Sequence, residues 1–457
     1  MVHNKLTRTI HLVGIDPFLN VPNEILPIIF KFCLSGPIVI PGSRDGTDFP
    51  WVSRLVCQRW RSIAEGFPEL WTSVLVDYGR VNSTKDRVMD AGKVTDIACR
   101  VLSRSKRELV SLRIECSLYP GDYQPLVRLV IEHAHRFRHF EFKIIDIALN
   151  EIFERIPLVS DRLEFLSIAS FGDSITKIPS GFKGATALKA LEVRTWLDWL
   201  EITPYIVWDN LAYLSMTGRY SLSPTAAVQV LLNCPNLITL QVSLELDEES
   251  MNSAPSKFPS MTTLIVEASE WGTFDDLLGR LDLPSLTRLE LRSQYQDDDN
   301  EGYWEDPSLH LHIPKYTQLK ILKIAFPIPG DYDLLSLLLP NIPNIVELTL
   351  PLLSHSALGL LASNQVLAKL QTLRTYVPPR FLEGHLAVLD KRAQDNPDLP
   401  HLRLCSLSNH PVESILREND ANVSSDCRET APVELVRVQE VHTKMRDFVP
   451  SYLKPQW

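Results

Sequence analysis

The chain has 457 residues, of which 45% are hydrophobic and 22% are charged, a composition typical of soluble globular proteins. Its formal net charge is −10 and it has no basic cluster, which argues against nucleic acid or an anionic membrane surface as a partner. There is no signal pattern and no apolar run of membrane-spanning length, and the 7 cysteines include no C-x-x-C pair. We therefore expect a cytoplasmic or nuclear protein whose thiols are structural.

An apolar helical segment occupies residues 21–71. It opens as VPNEILPIIF, in which Pro22 suits the first turn of a helix and the following apolar residues recur at helical spacing. The pattern continues as LVCQRWRSIA after a second predicted helix start at Pro50, and it ends at FPELW. Two short helices this apolar cannot bury all their side chains against each other, because a segment of about 50 residues is marginally stable alone. The surplus apolar surface indicates a partner.

The residue types and spacing of this segment resemble the F-box, the adaptor-binding module of SCF-type ubiquitin ligases, in its fungal F-box-like form. The residues that carry the resemblance are Pro22, Glu24, Ile25, Leu26, Ile29, Phe30, Leu55, Val56, Cys57, Trp60, Arg61, Ile63, Pro68, Leu70 and Trp71. The resemblance implies a small all-α domain that docks on a Skp-type adaptor. The residues expected to contact the adaptor are Pro22, Ile25, Leu26, Ile29, Phe30, Leu55, Val56 and Trp60.

Two features depart from the family pattern. Pro27 lies inside the first predicted helix, where it removes a backbone donor and should kink or split the helix. The stretch from Cys33 to Phe49 is rich in Gly, Pro and Ser, and it is longer than the connection usual in the family. Its composition predicts an inserted loop.

A second pattern, L-x-x-L-x-L, returns twelve times between Leu109 and Leu407, mostly at intervals of 23 to 28 residues. That period lies within the range of leucine-rich repeats. The last copy places Leu402, Cys405 and Leu407 at the apolar positions. Each unit should supply a strand, a turn and a helix, and neighbours must stack because no unit can bury its apolar side alone.

The predicted fold class is α/β: a leucine-rich-repeat solenoid, or horseshoe, preceded by a small all-α F-box-like domain. Helices are expected after Ser223, over Phe274–Leu281 and over Tyr332–Leu339, and a further one from Val433 to Met445. The predicted divisions are an N-terminal extension (1–17), the F-box-like domain (18–75), a linker or N-terminal cap (76–100), the repeat array (101–410) and a C-terminal tail or cap (411–457).

Side chains between the leucines alternate to the opposite face of the predicted sheet, which would be the open concave surface. Both charge signs are interleaved there, and a solvated sheet face is the alternative for each position. As a set, these side chains are predicted to bind a target protein. They include Arg113, Glu115, Glu141, Lys143, Glu192, Arg194, Glu290, Arg292 and Lys323.

Other candidate sites are weaker. The acidic segment Tyr295–Asp306 could clasp a basic peptide, but such a run is more often a solvated loop. His310 and His312 would share one side of a possible strand, yet no third ligand lies at metal-binding spacing. No G-x-S-x-G, Walker-type or H-E-x-x-H motif occurs. The sequence therefore predicts no enzyme, no cofactor and no metal.

The resemblance to the F-box, taken with the repeats, implies a non-catalytic substrate receptor of an SCF-type cullin–RING ubiquitin ligase. The front helices would dock on the Skp-type adaptor while the repeats hold a target protein. A ligase-independent scaffold, in which the front helices only cap the repeats, is the alternative. A hidden hydrolase or transferase would instead require a tight cluster of titratable groups on the sheet face.

Overall fold

A computed structural model describes residues 20–34, 36–41, 49–78, 91–116, 124–155, 161–170, 180–195, 206–218, 221–246, 254–293, 309–325, 334–352, 355–362, 366–376, 403–407 and 434–438, and the single positions 384, 387 and 394. The chain divides into two compact units, Met1–Ser160 with Pro455–Trp457, and Asp161–Lys454. Both units are mixed α/β and both contain parallel strands. Among the described helices, none has the length and apolar content needed to cross a membrane.

The first unit alternates helices with parallel strands that pair in the order β1-β2-β3-β4. Alternate residues of these strands point to one buried side, where Val74 of β2 is in register with Leu112 of β3, which is in register with Phe140 of β4. All three side chains are fully buried. The elements are α1 (Leu26–Phe32), β1 (Ile38–Ile40), α2 (Ser53–Val56), α3 (Gln58–Gly66), a 3₁₀ turn (Pro68–Trp71), β2 (Ser73–Asp77), α4 (Ala91–Arg104), β3 (Val110–Glu115), α5 (Gln124–His133), a 3₁₀ turn (Ala134–Arg136), β4 (Phe137–Ile144) and α6 (Asp146–Arg155).

The two amino-terminal helices begin and end differently from their prediction. Pro27 lies in the first turn of α1, where its missing N–H is tolerated, so the helix starts at Leu26 and not at Pro22. The second predicted helix is interrupted at Cys57, whose extended backbone (φ −157°, ψ 170°) separates α2 from α3. Cys57 then caps α3, because its Sγ accepts a hydrogen bond from the Trp60 N–H at 3.4 Å.

The predicted inserted loop also contains a strand. Ile38 of β1 is in parallel register with Val74 of β2, and Ile38 and Ile40 are buried. The predicted domain boundary at residue 75 falls inside β2, which pairs with β3. In the described residues, helices α1 to α3 therefore share a compact unit with strands β1 to β4.

In the second unit a long parallel ladder runs in the order β5-β6-β7-β8-β10-β12-β13-β14-β15-β16-β17, while β9 and β11 pair with each other. Short 3₁₀ turns cover Ser180–Gly184, Ile313–Lys315 and Leu339–Asn341. The elements are β5 (Phe165–Ser170), β6 (Ala190–Arg194), β7 (Tyr213–Met216), α7 (Pro224–Leu231), β8 (Thr239–Leu244), β9 (Ser256–Lys257), β10 (Thr263–Ala268), α8 (Trp271–Arg280), β11 (Leu281–Asp282), β12 (Arg288–Ser293), α9 (Leu309–His312), β13 (Ile321–Ala325), α10 (Leu334–Leu338), β14 (Glu347–Leu352), α11 (His355–Ala362), β15 (Thr372–Tyr376), β16 (Arg403–Leu407) and β17 (Glu434–Val438).

The strand register aligns one leucine of each strand with the leucine of the next. These side chains are fully buried, and we call them the leucine column: Leu166, Leu191, Leu214, Leu240, Leu264, Leu289, Leu322, Leu348 and Leu373. A described strand coincides with each of the twelve L-x-x-L-x-L copies. The phase of the last copy is wrong by one residue, because Leu404 and not Cys405 is in register with Leu373. A shift of one residue in a strand exchanges its two faces.

Recurrent polar contacts join successive strands of the second unit. The side-chain amide of Asn236 donates to the Asp209 carbonyl at 2.8 Å, and that of Asn344 donates to the Thr317 carbonyl at 3.0 Å. In each case the partner lies 27 residues earlier, one repeat away. Asn236 in the segment N-C-P-N-L and Asn344 in the segment N-I-P-N-I thus each satisfy a backbone carbonyl of the preceding repeat.

The helices between the strands partly follow the prediction. The helix after Ser223 is confirmed as α7, and the Ser223 Oγ caps it by accepting from the Ala226 N–H at 3.2 Å. The helix predicted from Val433 is wrong over Glu434–Val438, which is strand β17 paired with β16.

Two candidate sites from the sequence also change. His310 and His312 lie on helix α9 and not on a strand, so residues two apart do not share a face. The acidic segment Tyr295–Asp306 lies outside the described residues.

Candidate interaction surfaces

Helices α1 and α2 leave five large apolar side chains exposed. They are Ile25, Ile28 and Phe32, which share one side of α1 by their spacing, and the consecutive residues Leu55 and Val56 of α2. Phe32 is 87% exposed and Leu55 is 74% exposed. Only four other large hydrophobic side chains are exposed anywhere in the described ranges. We call these five residues the amino-terminal apolar patch.

The opposite side of α1 is firmly packed. Leu26 and Phe30 are completely buried, and the Phe30 ring centroid lies 4.9 Å from that of Trp60 and 5.3 Å from that of Phe49. Tilted and edge-on aromatic pairs at these distances are favourable. Helix α1 therefore carries apolar side chains on both its buried face and its exposed face.

Polar contacts fix the orientation of these helices. The Arg59 guanidinium of α3 donates to the Asn23 Oδ1 at 2.9 Å and to the Val21 carbonyl, both just before α1. In addition, Lys31 of α1 forms an ion pair with Glu69 at 2.7 Å. Exposed ion pairs contribute little stability individually, but together with the packed face they define which side of α1 faces solvent.

Trp71 is a buried aromatic residue against which these helices pack. It is fully buried, and its Nε1–H donates to the Ala64 carbonyl at 2.7 Å. The Trp51 ring packs edge-on against it at 5.7 Å, and the Arg104 guanidinium of α4 lies over it at 4.6 Å. Burial lowers the pKa of Arg104. The F-P-E-L-W ending of the sequence pattern thus supplies core packing, and α4 is joined to the helices through this stack.

The residues predicted to contact an adaptor fall into distinct groups in the structure. Leu26 and Phe30 are buried and hold the unit together, while Ile29 and Trp60 are half-buried. The exposed members are Pro22, Ile25, Leu55 and Val56. The patch also includes Ile28 and Phe32, whose helical spacing is visible in the sequence but which were not predicted to contact an adaptor. Adaptor contact remains a prediction for all of them.

Each unit also has a sheet face opposite its buried apolar side, which we call the polar sheet face of that unit. In the first unit, Arg113 of β3 forms ion pairs with Glu115 of the same strand and, at 3.4 Å, with Glu141 of β4. Arg113 is only 9% exposed. Lys143 is in register with Glu115 and half-buried. The four residues predicted here to bind a target are therefore close together and largely engaged with one another.

Glu290 is the most enclosed charge of the polar sheet face in the second unit. Its carboxylate is 1% exposed and accepts from the Arg288 Nε at 2.8 Å and from the Arg292 guanidinium at 2.6 Å. Arg292 also lies 3.3 Å from Glu267 on β10, and Lys323 is in register with Glu290 on β13. Two arginines thus compensate the cost of burying this carboxylate.

A similar arrangement occurs at β6. Glu192 is 5% exposed, accepts from the Ser167 Oγ at 3.1 Å and lies 3.5 Å from the Arg194 guanidinium. Beside it, Phe165, Ala190 and Tyr213 form a buried apolar cluster at the starts of their strands. Glu192, Glu290 and Arg113 are therefore not solvated, contrary to the expectation of an open face. Their predicted role in target binding is untested.

The Glu290 carboxyl should make stability depend on acidity. Burial alone would raise the pKa of Glu290, but Arg288 and Arg292 outweigh it and hold that pKa below its ordinary value. A lowered folded-state pKa contributes stability that is present above the unfolded pKa, about 4.3 for glutamate, and is lost as the pH falls through the folded pKa. Below that pH, we expect Glu290→Gln to reduce the slope of the free energy of unfolding against pH by up to about 1.4 kcal/mol per pH unit. Urea unfolding at several pH values between neutral and acidic measures this slope. Equal slopes for the two proteins would contradict the prediction.

Comparisons with known proteins add little to this description. No protein-family model matches the chain, and no curated protein matches it. Among solved structures, a protein of Bacteroides fragilis is similar at 17% sequence identity and a TM-score of 0.32, over 48% of this chain and 65% of that one. The chain thus spans about two thirds of that neighbour's length, and the likeness is too distant to argue from. The fold itself defines the class: an α/β protein with a large parallel sheet.

Proposed function

We propose that this chain is a substrate-recognition subunit of an SCF-type cullin–RING ubiquitin ligase, in the cytoplasm or nucleus. The amino-terminal apolar patch would dock on a Skp-type adaptor, and the repeats would form a horseshoe-shaped leucine-rich-repeat solenoid that binds a target protein. The chain itself would be non-catalytic. Its role would be to hold target lysines near the ubiquitin-loaded enzyme and so raise their effective concentration.

The amino-terminal apolar patch is the observation that carries the proposal. Five of the nine exposed large hydrophobic side chains of the described residues lie on α1 and α2. The sequence surrounding them resembles the F-box. Large exposed apolar side chains on helices that are packed on their other face are typical of protein-binding sites, since burying them is favourable.

The recurring strands support the second half of the proposal. Strand follows strand in parallel at each sequence repeat, and the leucine column is continuous from β5 to β15. A stack of this kind presents a long sheet face that is larger than a metabolite requires. Arg194, Arg292 and Lys323 are partly exposed members of the predicted set on that face, so a target could reach them.

Aspartate substitutions in the patch test the proposal directly. We expect Ile28→Asp combined with Leu55→Asp to weaken binding of the full chain to a purified Skp-type adaptor at least about tenfold, or ~1.4 kcal/mol, because each introduces a charge into an apolar contact. Calorimetric titration measures the affinity. Both side chains are exposed, so the melting temperature should be unchanged.

Leu311→Asp is the matched control. Leu311 is 60% exposed on α9 of the second unit, so the same chemical change there should leave adaptor affinity intact. Failure of the unmodified chain to bind the adaptor would overturn the ligase role and favour a ligase-independent scaffold. Equal losses in the control and the double variant would overturn the assignment of the patch.

A further inference from the structure

Helices α4 and α5 of the first unit bring three side chains of metal-binding type together. Cys99 lies on α4, while Glu132 and His133 lie at the carboxyl end of α5, which packs against α4. One potential ligand atom of each residue lies within 4.8 Å of the other two. Across the described parts of the chain, no second group of three or more such residues is as closely spaced.

His133 carries a polar atom that the fold does not otherwise use. Its Nε2 is shielded from solvent and has no hydrogen-bond partner, which is a destabilising arrangement of about 1–3 kcal/mol for a buried polar group. Neutral imidazole is the form of histidine that binds metal ions.

The other two ligands complete a reasonable coordination set. The Cys99 thiol would release its proton on binding a metal ion, since the thiolate is the form that acts as a ligand. The Glu132 Oε1 accepts from the Arg128 Nε at 2.7 Å, while its second oxygen is a further potential ligand atom. Glu132 is exposed and Cys99 is half-buried, so an ion can enter from solvent.

We propose that Cys99, Glu132 and His133 form a zinc-binding site that joins α4 to α5, with solvent completing a tetrahedral coordination. Thiolate and imidazole favour Zn²⁺ over Mg²⁺ or Ca²⁺, which prefer oxygen ligands. Ligand atoms around tetrahedral zinc are about 3.5 Å apart, so these side chains must approach one another by at most about 1.3 Å, a displacement within reach of partly exposed rotamers. The site lies on other helices than the amino-terminal apolar patch and does not depend on the proposed ligase role.

Cobalt substitution and thermal unfolding of the full chain test this site. Titration with Co²⁺ should produce a thiolate-to-cobalt charge-transfer band that saturates near one equivalent of metal. Zn²⁺ should displace the bound Co²⁺ and abolish that band. It should also raise the melting temperature, because it binds the folded state in preference to the unfolded chain. Cys99→Ser should abolish the band, and His133→Gln should weaken Zn²⁺ binding at least about tenfold.

Two conservative controls match these variants. Cys33→Ser removes an exposed thiol outside the cluster, and His135→Gln changes an exposed histidine two residues from His133. Both should retain the band and the zinc-dependent stabilisation. The proposal is overturned if the unmodified chain shows neither signal, if the band survives in Cys99→Ser, or if the controls lose it equally. Absence of both signals in the unmodified chain overturns the proposal even where a variant fails to fold.

Discussion

Phe30→Ala is expected to destabilise helices α1 to α3 by about 3–5 kcal/mol. The ring is completely buried and packs between Trp60 and Phe49, so truncation removes apolar contacts and leaves a cavity that the two rigid rings cannot fill. Hydrogen–deuterium exchange of peptides from residues 22–71 measures the local opening free energy. Amides of α1 and α3 should exchange markedly faster than in the unmodified protein.

Phe32→Ala supplies the control on the same helix. Phe32 is the same residue type two positions away, but it is 87% exposed, so its truncation should change the opening free energy by no more than about 0.5 kcal/mol. Comparable acceleration of exchange in both variants would mean that the division of α1 into a packed face and an exposed face is incorrect.

Leu240→Ala should have the largest effect in the second unit, a loss of about 2–5 kcal/mol. Leu240 lies inside the leucine column, in register with Leu214 on one side and Leu264 on the other, and all three are fully buried. The parallel backbones hold the strands apart, so the cavity cannot collapse easily. The shift of the urea unfolding midpoint, at constant slope, measures the change.

Leu246→Ala is the comparison for this change. Leu246 follows the same strand, β8, and is 52% exposed, so its truncation should leave the midpoint almost unchanged. A loss of stability in Leu246→Ala as large as that in Leu240→Ala would contradict the difference in burial between these two side chains.

The strands could be predicted from the sequence because their signal is periodic. Each L-x-x-L-x-L copy is supported by its neighbours, so a weak copy is still located by spacing. Within a single copy, the sequence predicts less reliably which residue occupies each leucine position. At β16 both Leu404 and Cys405 are apolar, and only pairing with Leu373 of the previous strand decides which one takes the leucine position.

Strand β1 could not be predicted because its cause is not local. Ile38–Ile40 is flanked by Gly36, Pro37 and Pro41, which by themselves indicate a loop. The strand exists because β2, more than 30 residues later, offers an open edge with which it pairs. A similar limit applies to Cys57, whose extended backbone interrupts a pattern that the sequence presents as one helix.

Exposure was the least predictable property of the candidate sites. Phe30 and Phe32 are the same residue in the same short helix, and only packing against Trp60 separates the buried ring from the exposed one. Glu290 is enclosed by its ion pairs with two arginines of its own strand, an outcome that charge alternation in the sequence does not reveal.

The pairing of charges on each polar sheet face limits the way in which a partner could approach it. Arg292 with Glu290, Arg113 with Glu141 and Arg374 with Glu347 neutralise one another at short range, so they project little field beyond their own surroundings. These pairs would therefore contribute little to the long-range attraction of a molecule that docks there. To bind, such a molecule would have to replace these internal ion pairs with its own hydrogen-bond donors and acceptors. This requirement favours slow and selective binding.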